Sequence, residues 1–415
     1  MEARVLSTWR ESPAAVKTVL VGIFVNRLSG FLNIFLVLYL AAQGYSPDAA
    51  AFGLGAYGAG AMIGVLIGGS LAARFGTRAT TVIGMGGSSV LIASLLYLPS
   101  YPLLLTAVAL VGLTGQMFRP ASATLLSQLT PDDRQVMVFA MSRFAVNLGA
   151  MAAPILGFGL YNLMHQQYGL LFWGEALIAM AFAVAAFYTL PGREEQVPDD
   201  PANDRGGYRE VLRDRRYLAY LVSTLVHTAV YGQYLSTLPL DVKAAGIDLI
   251  WYTAAVSLNG FLVIAFELLA TKVTQSWPAR VTIGLGFGLM GAGIAVYALP
   301  MSAAVIIIGT LIWSIGEIVG GPAMFAHPAV ISPLRLRAYY LGSFHFVFGL
   351  GGTIGPVLGG WLLVRLGHGV WIPLAAVSLL ATLVVIAVVR PPARDEETTA
   401  ATPAADRPER NPSPA

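Results

Sequence analysis

The sequence predicts an all-α membrane protein in which twelve transmembrane helices form two parallel six-helix repeats. Three observations lead there: apolar runs of membrane-spanning length recur twelve times, basic residues crowd onto one side of those runs, and the second half of the chain repeats the pattern of the first. The 415 residues are 56% hydrophobic and only 11% charged, with a mean hydropathy of +0.69. No soluble domain of this size has a core large enough to absorb that balance, so lipid is the expected solvent.

A hydrocarbon layer about 30 Å thick takes roughly 20 helical residues. Runs of that length, bounded by polar residues or by Gly and Pro, fall at 17–42, 50–72, 79–98, 102–127, 137–161, 170–190, 217–240, 250–271, 280–299, 302–326, 338–363 and 369–389. They are rich in Leu, Ala and Gly and lack the alternation of barrel strands, so helices are expected. With both termini placed in the cytoplasm, only Lys243 and Arg365 of the 25 basic residues fall in exterior loops, and Arg27, Arg119 and Arg143 fall within spans. All the others lie in cytoplasmic tails and loops, which satisfies the positive-inside rule.

The domain organisation follows. Residues 1–16 read as a retained cytoplasmic tail, because Glu2 and Glu11 accompany its basic residues and the apolar run after it is too long for a signal-peptide core. Residues 17–190 make one bundle and 217–390 the other. Between them, 191–216 form a cytoplasmic linker with Arg193, Arg205, Arg209, Arg213, Arg215 and Arg216. The tail 391–415 has too little apolar content to pack and is expected to be disordered.

Composition also excludes classes. The absence of cysteine rules out disulfides and thiolate metal sites. A net charge of +3 dispersed between apolar runs is no nucleic-acid footprint. No P-loop, metal cluster or Ser/His/Asp arrangement suggests an enzyme, and no cofactor is expected. The expected partners are a small-molecule substrate and the lipid bilayer, with the chain working as a monomer. Lysine occurs only at Lys17, Lys243 and Lys272 among abundant Ala and Gly, which points to a GC-rich bacterial genome and thus to a bacterial inner membrane.

Sliding the chain by 202 residues aligns Phe144, Leu148, Gly149, Pro154, Leu156, Gly157 and Leu160 with Phe346, Leu350, Gly351, Pro356, Leu358, Gly359 and Leu362. The same offset pairs Pro120 with Pro322, Pro131 with Pro333 and Arg78 with Arg280, so the repeat covers several helices. Parallel repeats of this kind are typical of alternating-access carriers, with the substrate site between the halves near the midplane.

These residues resemble the major facilitator superfamily, and within it the twelve-helix multidrug-efflux branch of drug:proton antiporters, over roughly 17–390. Its glycine-proline motif is matched in span eleven by Gly351-Gly-Thr-Ile-Gly355-Pro356-Val-Leu358-Gly359-Gly360. In span five, where the family's copy is usually strongest, Gly149, Pro154 and Gly157 persist while Ala153 and Phe158 replace glycines. Glycines at this spacing let helices approach closely, and the proline frees one backbone hydrogen bond, giving a bendable seam. The family's loop motif between spans two and three appears as Gly69-Ser-Leu-Ala-Ala73-Arg74-Phe-Gly76-Thr-Arg78. The family has an acid where this chain has Ala73, and that acid helps latch the halves through a charge network, so the resemblance implies a gate wired otherwise. A further match is Gly316-Glu317-Ile-Val-Gly-Gly-Pro322 in span ten.

Ionisable groups at membrane depth are costly and usually face a partner or a wet cavity. Arg27, Arg119 and Arg143 all sit in the inner halves of their spans, with Glu317 and His345 at similar depth and Glu267 nearer the inner end, so opposite charges from the two halves are placed to meet. The resemblance implies that spans one, four, seven and ten line the cavity, which favours Arg27, Arg119 and Glu317 there. It also supplies an acid in span one for many members, where this chain has Asn26-Arg27. A carboxyl moved between a dry site and an arginine becomes a proton switch. Glu317 is the first candidate for that role, Glu267 the second, and His345 a third. Glu175 is expected in a peripheral helix near the outer side. Aromatic and amide residues suited to an amphipathic substrate gather as His227, Tyr231, Gln233 and Tyr234 in span seven, Asn33 in span one, Asn259 in span eight and Trp313 in span ten.

The reading these features favour is export of a small organic compound driven by inward proton flow, the proton gradient serving as energy source. The alternatives are uptake or facilitated exchange of a small, possibly anionic, metabolite and a transport-fold receptor without turnover.

Overall fold

The computed structural model describes residues 5–163, 167–192 and 207–389. Arg193 and Arg205 of the expected linker, and the tail expected to be disordered, lie outside the described residues. The helices are α1 (Val5–Glu11), α2 (Ala14–Leu28), α3 (Phe31–Ala42), α4 (Pro47–Ser94), α5 (Tyr101–Gln128), α6 (Gln135–Leu163), α7 (Tyr168–Thr189), α8 (Gly207–Val211), α9 (Arg215–Tyr231), α10 (Gln233–Ala244), α11 (Leu249–Thr274), α12 (Ala279–Val296), α13 (Ala303–Ile331), α14 (Arg337–Leu366) and α15 (Trp371–Val388).

Eight helical runs among the described residues are long and apolar enough to cross a membrane, and two of these, Phe52–Tyr97 and Leu334–Val388, each contain two of the predicted spans. The first reverses at Gly76, whose φ of 84° and ψ of 163° lie in a region that only glycine enters cheaply. The other two predicted spans, one and seven, are broken: α2 gives way to α3 at Ser29–Gly30, and α9 to α10 at Gly232. Gly30 and Gly232 are themselves 202 residues apart, so both halves bend their first helix at the same place. The molecule is thus a twelve-span α-helical membrane protein of two six-helix repeats.

Each break is plugged by a side chain. The Gln233 amide donates to the carbonyls of Ala229 and Gly355, both at 2.7 Å, and its oxygen accepts from Thr237 at 2.6 Å. In the first half, the Leu32 N–H at the start of α3 donates to Glu175 Oε2 of α7 at 2.6 Å. A helix start leaves such N–H groups without intrahelical partners, and a carboxylate satisfies both their hydrogen-bonding need and the positive end of the helix dipole.

The glycine-proline seam packs span five on span one and span eleven on span seven. An added Cβ at Gly149 would lie 3.0 Å from the Phe24 carbonyl, at Gly157 2.8 Å from the Phe35 ring, at Gly351 2.8 Å from the Leu225 carbonyl, and at Gly355 2.5 Å from the Ala229 carbonyl. At Gly359 it would collide with the Gln233 plug, whereas at Gly360 it would meet nothing within 4 Å. Gly360 therefore takes no part in the seam. Pro154 and Pro356 lie inside α6 and α14, and the Pro356 ring packs beside Gly232.

The expected N-terminal tail is in part a helix. In α1, Thr8 is buried, Trp9 packs on the apolar cluster around Val16 and Leu126, and Glu11 pairs with Arg134 at 2.5 Å. The apolar-run criterion misses it because seven residues with four polar ones do not register as a span.

The halves meet on the face that carries α8 and the inner ends of the spans, the linker face. Ala72 and Ala121 pack on Ala338, while Ala123 and Phe139 pack on Ala326, Ala329 and Leu341. Gly69 faces Gly342 so closely that a Cβ would stand 3.3 Å from its Cα, and the Tyr208 hydroxyl of α8 wedges beside them, donating to the Leu66 carbonyl at 2.6 Å. Ala73 packs against this patch, Arg74 is exposed, and the Arg78 guanidinium lies 4.5 Å over the Phe187 ring. Steric fit of small residues thus occupies the place where the family resemblance would put a charge latch.

The seam gives the first test. Gly355→Val should lower the thermal midpoint in detergent by the equivalent of about 1–3 kcal/mol through overpacking against Ala229, while Gly360→Val should leave it unchanged. Equal midpoints for the two variants would refute the seam.

Candidate functional site

Between the halves lies a cavity of about 550 Å³, within the range of small-molecule sites. The small-residue packing just described closes it toward the linker face. Asn26, Arg27, Arg119, Arg143, His227, Tyr231, Glu317 and His345 all lie on its wall, as do Pro154, Tyr57, Gln116, Asn147, Glu175 and Phe348. Spans two, three, five, six, nine and eleven therefore contribute alongside the four expected spans.

At the centre, Arg143 of α6 crosses to the other half. Its Nε and one terminal nitrogen donate to the two oxygens of Glu267 on α11, each at 3.0 Å, and the same terminal nitrogen donates to Glu317 Oε1 on α13 at 3.2 Å. Phe325 closes one face of the guanidinium at 5.0 Å, and Gly321 leaves the room it needs, since a Cβ there would sit 2.7 Å from it. Glu267 is wholly buried, whereas 13% of the Glu317 side chain is exposed. Glu317 also accepts from Asn259 at 3.1 Å and, more weakly, from the Tyr231 hydroxyl at 3.4 Å. One cation between two carboxylates leaves one negative charge in excess when both are ionised, and a single proton removes it. Because Glu267 holds the two-pronged contact, Glu317 is the looser and wetter of the pair.

The other expected residues are distributed less uniformly. Asn259 stands behind Glu317, bonded also to Ser314 at 3.1 Å, and Trp313 donates to the Tyr297 hydroxyl at 2.8 Å while its ring supports Tyr231 and Tyr234. Asn259, Trp313 and Tyr234 form a backing layer rather than the wall. Gln233 turns away from the cavity altogether, because the span-seven break needs its amide. Asn33 lies on α3, with its side chain outside the described residues. His227 stacks 4.0 Å from Phe287, and its Nδ1 has no hydrogen-bond partner among the described residues.

Glu175 corrects an expectation. Sequence position suggested a peripheral helix, yet its carboxylate reaches the cavity wall because the break in span one draws it to the α3 N-terminus. Its signal in the sequence was its being the sole acid of span six. Tyr57, Gln116 and Asn147 were missed because a Tyr or amide within an apolar run carries no mark of which face it occupies.

A twelve-span repeat enclosing a polar cavity with ion pairs between its halves defines a membrane-embedded small-molecule transporter. The chain belongs to the Major Facilitator Superfamily, whose sequence profile matches residues 19–352 and 252–412. It is a transporter and not an enzyme. Its relatives include YqjV of Bacillus subtilis, an uncharacterized transporter of the superfamily, 24% identical over 88% of this chain and 90% of that one. The multidrug resistance protein MdtH of Klebsiella pneumoniae is 27% identical over 72% and 73%. Among solved structures, the Major Facilitator transporter FucP superposes with a TM-score of 0.74 at 14% identity over 91% of this chain and 98% of that one. The human organic anion transporter MFSD10 gives 0.66 at 14% identity over 89% and 98%.

Removing one member of a buried ionic cluster leaves its partners uncompensated, at about 3–5 kcal/mol. Arg143→Gln should therefore lower the thermal midpoint more than Glu317→Gln, which leaves the Arg143–Glu267 pair intact. The reverse order would mean that the cluster is not what holds these helices.

Proposed function

We propose that this protein exports a small organic compound across the bacterial inner membrane in exchange for protons, with Glu317 as the proton-carrying group. The observation that carries this reading is Arg143 of one half held between Glu267 and Glu317 of the other. The linker face is the cytoplasmic one by the positive-inside rule, so the closed conformation described above faces outward, and both termini are cytoplasmic. A proton entering from outside neutralises Glu317, removes one of the two attractions on Arg143 and weakens closure on the cytoplasmic side. The halves then rock, the proton leaves to the cytoplasm, and the ionised Glu317 awaits substrate. Glu267, dry and doubly bonded, keeps the arginine in place and is the second proton candidate. His345 lines the cavity and is a third.

Efflux rather than uptake is supported by the multidrug resistance name of the MdtH relatives and by the span-ten pattern around Glu317. The degraded motif of span five favours the second reading, uptake or exchange of a metabolite. Inverted vesicles separate the two. In vesicles acidified by respiration, a substrate found by susceptibility screening should collapse part of the pH gradient and accumulate inside, and Glu317→Gln should abolish the collapse. Accumulation that ignores the pH gradient, or a variant that couples like the parent, would defeat the antiport reading. Transport should also rise as the exterior face is made more acidic, because proton loading of Glu317 precedes closure of the cycle.

A further inference from the structure

The charges at membrane depth do not balance evenly within the cavity. The acids of the described spans are Glu175, Asp241, Glu267 and Glu317, and each is already engaged. Glu267 and Glu317 share Arg143. Glu175 caps α3, and Asp241, near the outer end of α10, accepts from Trp371 at 2.6 Å and His368 at 2.8 Å. Arg27 and Arg119, from spans one and four, both stand on the cavity wall, and among the described residues no carboxylate pairs with either. An uncompensated arginine at membrane depth is costly, and two of like charge in one cavity cost more. A site that keeps such a pair bare is one that a ligand's charge completes.

The surroundings narrow the ligand. Tyr57 and Gln116 add polar side chains to the same cavity lining, and Phe348, His345 and Phe118 add aromatic ones. The α3 N-terminus, which would otherwise compete for an anion, is occupied by Glu175. We propose that the substrate of this transporter is an aromatic organic carboxylate whose anionic group is held between Arg27 and Arg119, its ring lying against the aromatic wall. The proposal rests on the transport reading above but not on its proton coupling. It assigns the two halves different tasks: the first binds the anion, and the second carries the proton.

The test uses the purified full chain in detergent, in a low-salt buffer free of carboxylates, with three matched probe pairs: 1-naphthoate, 4-biphenylcarboxylate and indole-3-acetate, each against its neutral amide. Binding is read by calorimetry and tryptophan fluorescence. At least one acid should bind more tightly than its amide by about tenfold, as a charge-assisted contact to guanidinium implies. Arg27→Gln and Arg119→Gln should each erase that preference without weakening the amide, and Arg119→Lys should keep part of it. Independently of any probe, Arg119→Gln should raise the thermal midpoint of the ligand-free protein, since it removes an unpaired charge. No acid preference in any of the three pairs, a preference that survives both Gln variants, or a lowered midpoint for Arg119→Gln would each overturn the proposal. An acid preference that persists while Glu317→Gln leaves the proton exchange unchanged would fault the coupling and uphold the anion site. Lost proton exchange in Glu317→Gln with no acid preference would do the opposite.

Discussion

One guanidinium organises this molecule. Arg143 belongs to the first half, yet both of its counter-charges belong to the second, and all three groups lie where water is scarce. A cluster of this kind has no cheap half-open state: separating the halves exposes either a bare arginine or two bare carboxylates. The small-residue contacts at the linker face add close fit but no comparable barrier. In the proposed cycle the transition between conformations depends on what neutralises the glutamates, and that dependence is how proton flow would drive movement.

The fold was legible because bilayers constrain sequence harshly. Twelve apolar runs, an arginine bias and a repeat offset of 202 residues were enough to read the architecture, and Gly149 and Gly351 even marked equivalent seams in the two halves. The breaks in spans one and seven were not legible. Gly30 and Gly232 look like many other glycines in apolar helices, and what distinguishes them is a side-chain plug, from distant Glu175 at one break and from adjacent Gln233 reaching the Gly355 carbonyl at the other. Gln233 could not be told from a substrate-binding amide for the same reason.

The site was legible where a residue's cost made it conspicuous. Arg27, Arg119, Arg143, Glu267 and Glu317 stood out because charges in lipid demand an explanation, and the structure brings three of them into one cluster and leaves two facing the cavity. Residues that cost little were harder to rank: Trp313, Tyr234 and Asn259 have the right chemistry for a pocket but stand one layer behind it. Glu175 was conspicuous but misplaced, because a helix at the rim of the fold was assumed to keep its side chains there.

The paired breaks have a consequence for how the duplicated halves diverged. Both inherit a bent first helix, and both must satisfy the backbone groups that the bend sets free. One half satisfies an N–H with an acid, the other a carbonyl with a neutral amide. The architecture is symmetric while its stoppers are not, so acidity of the medium can reach the first of these hinges but has no chemical handle on the second.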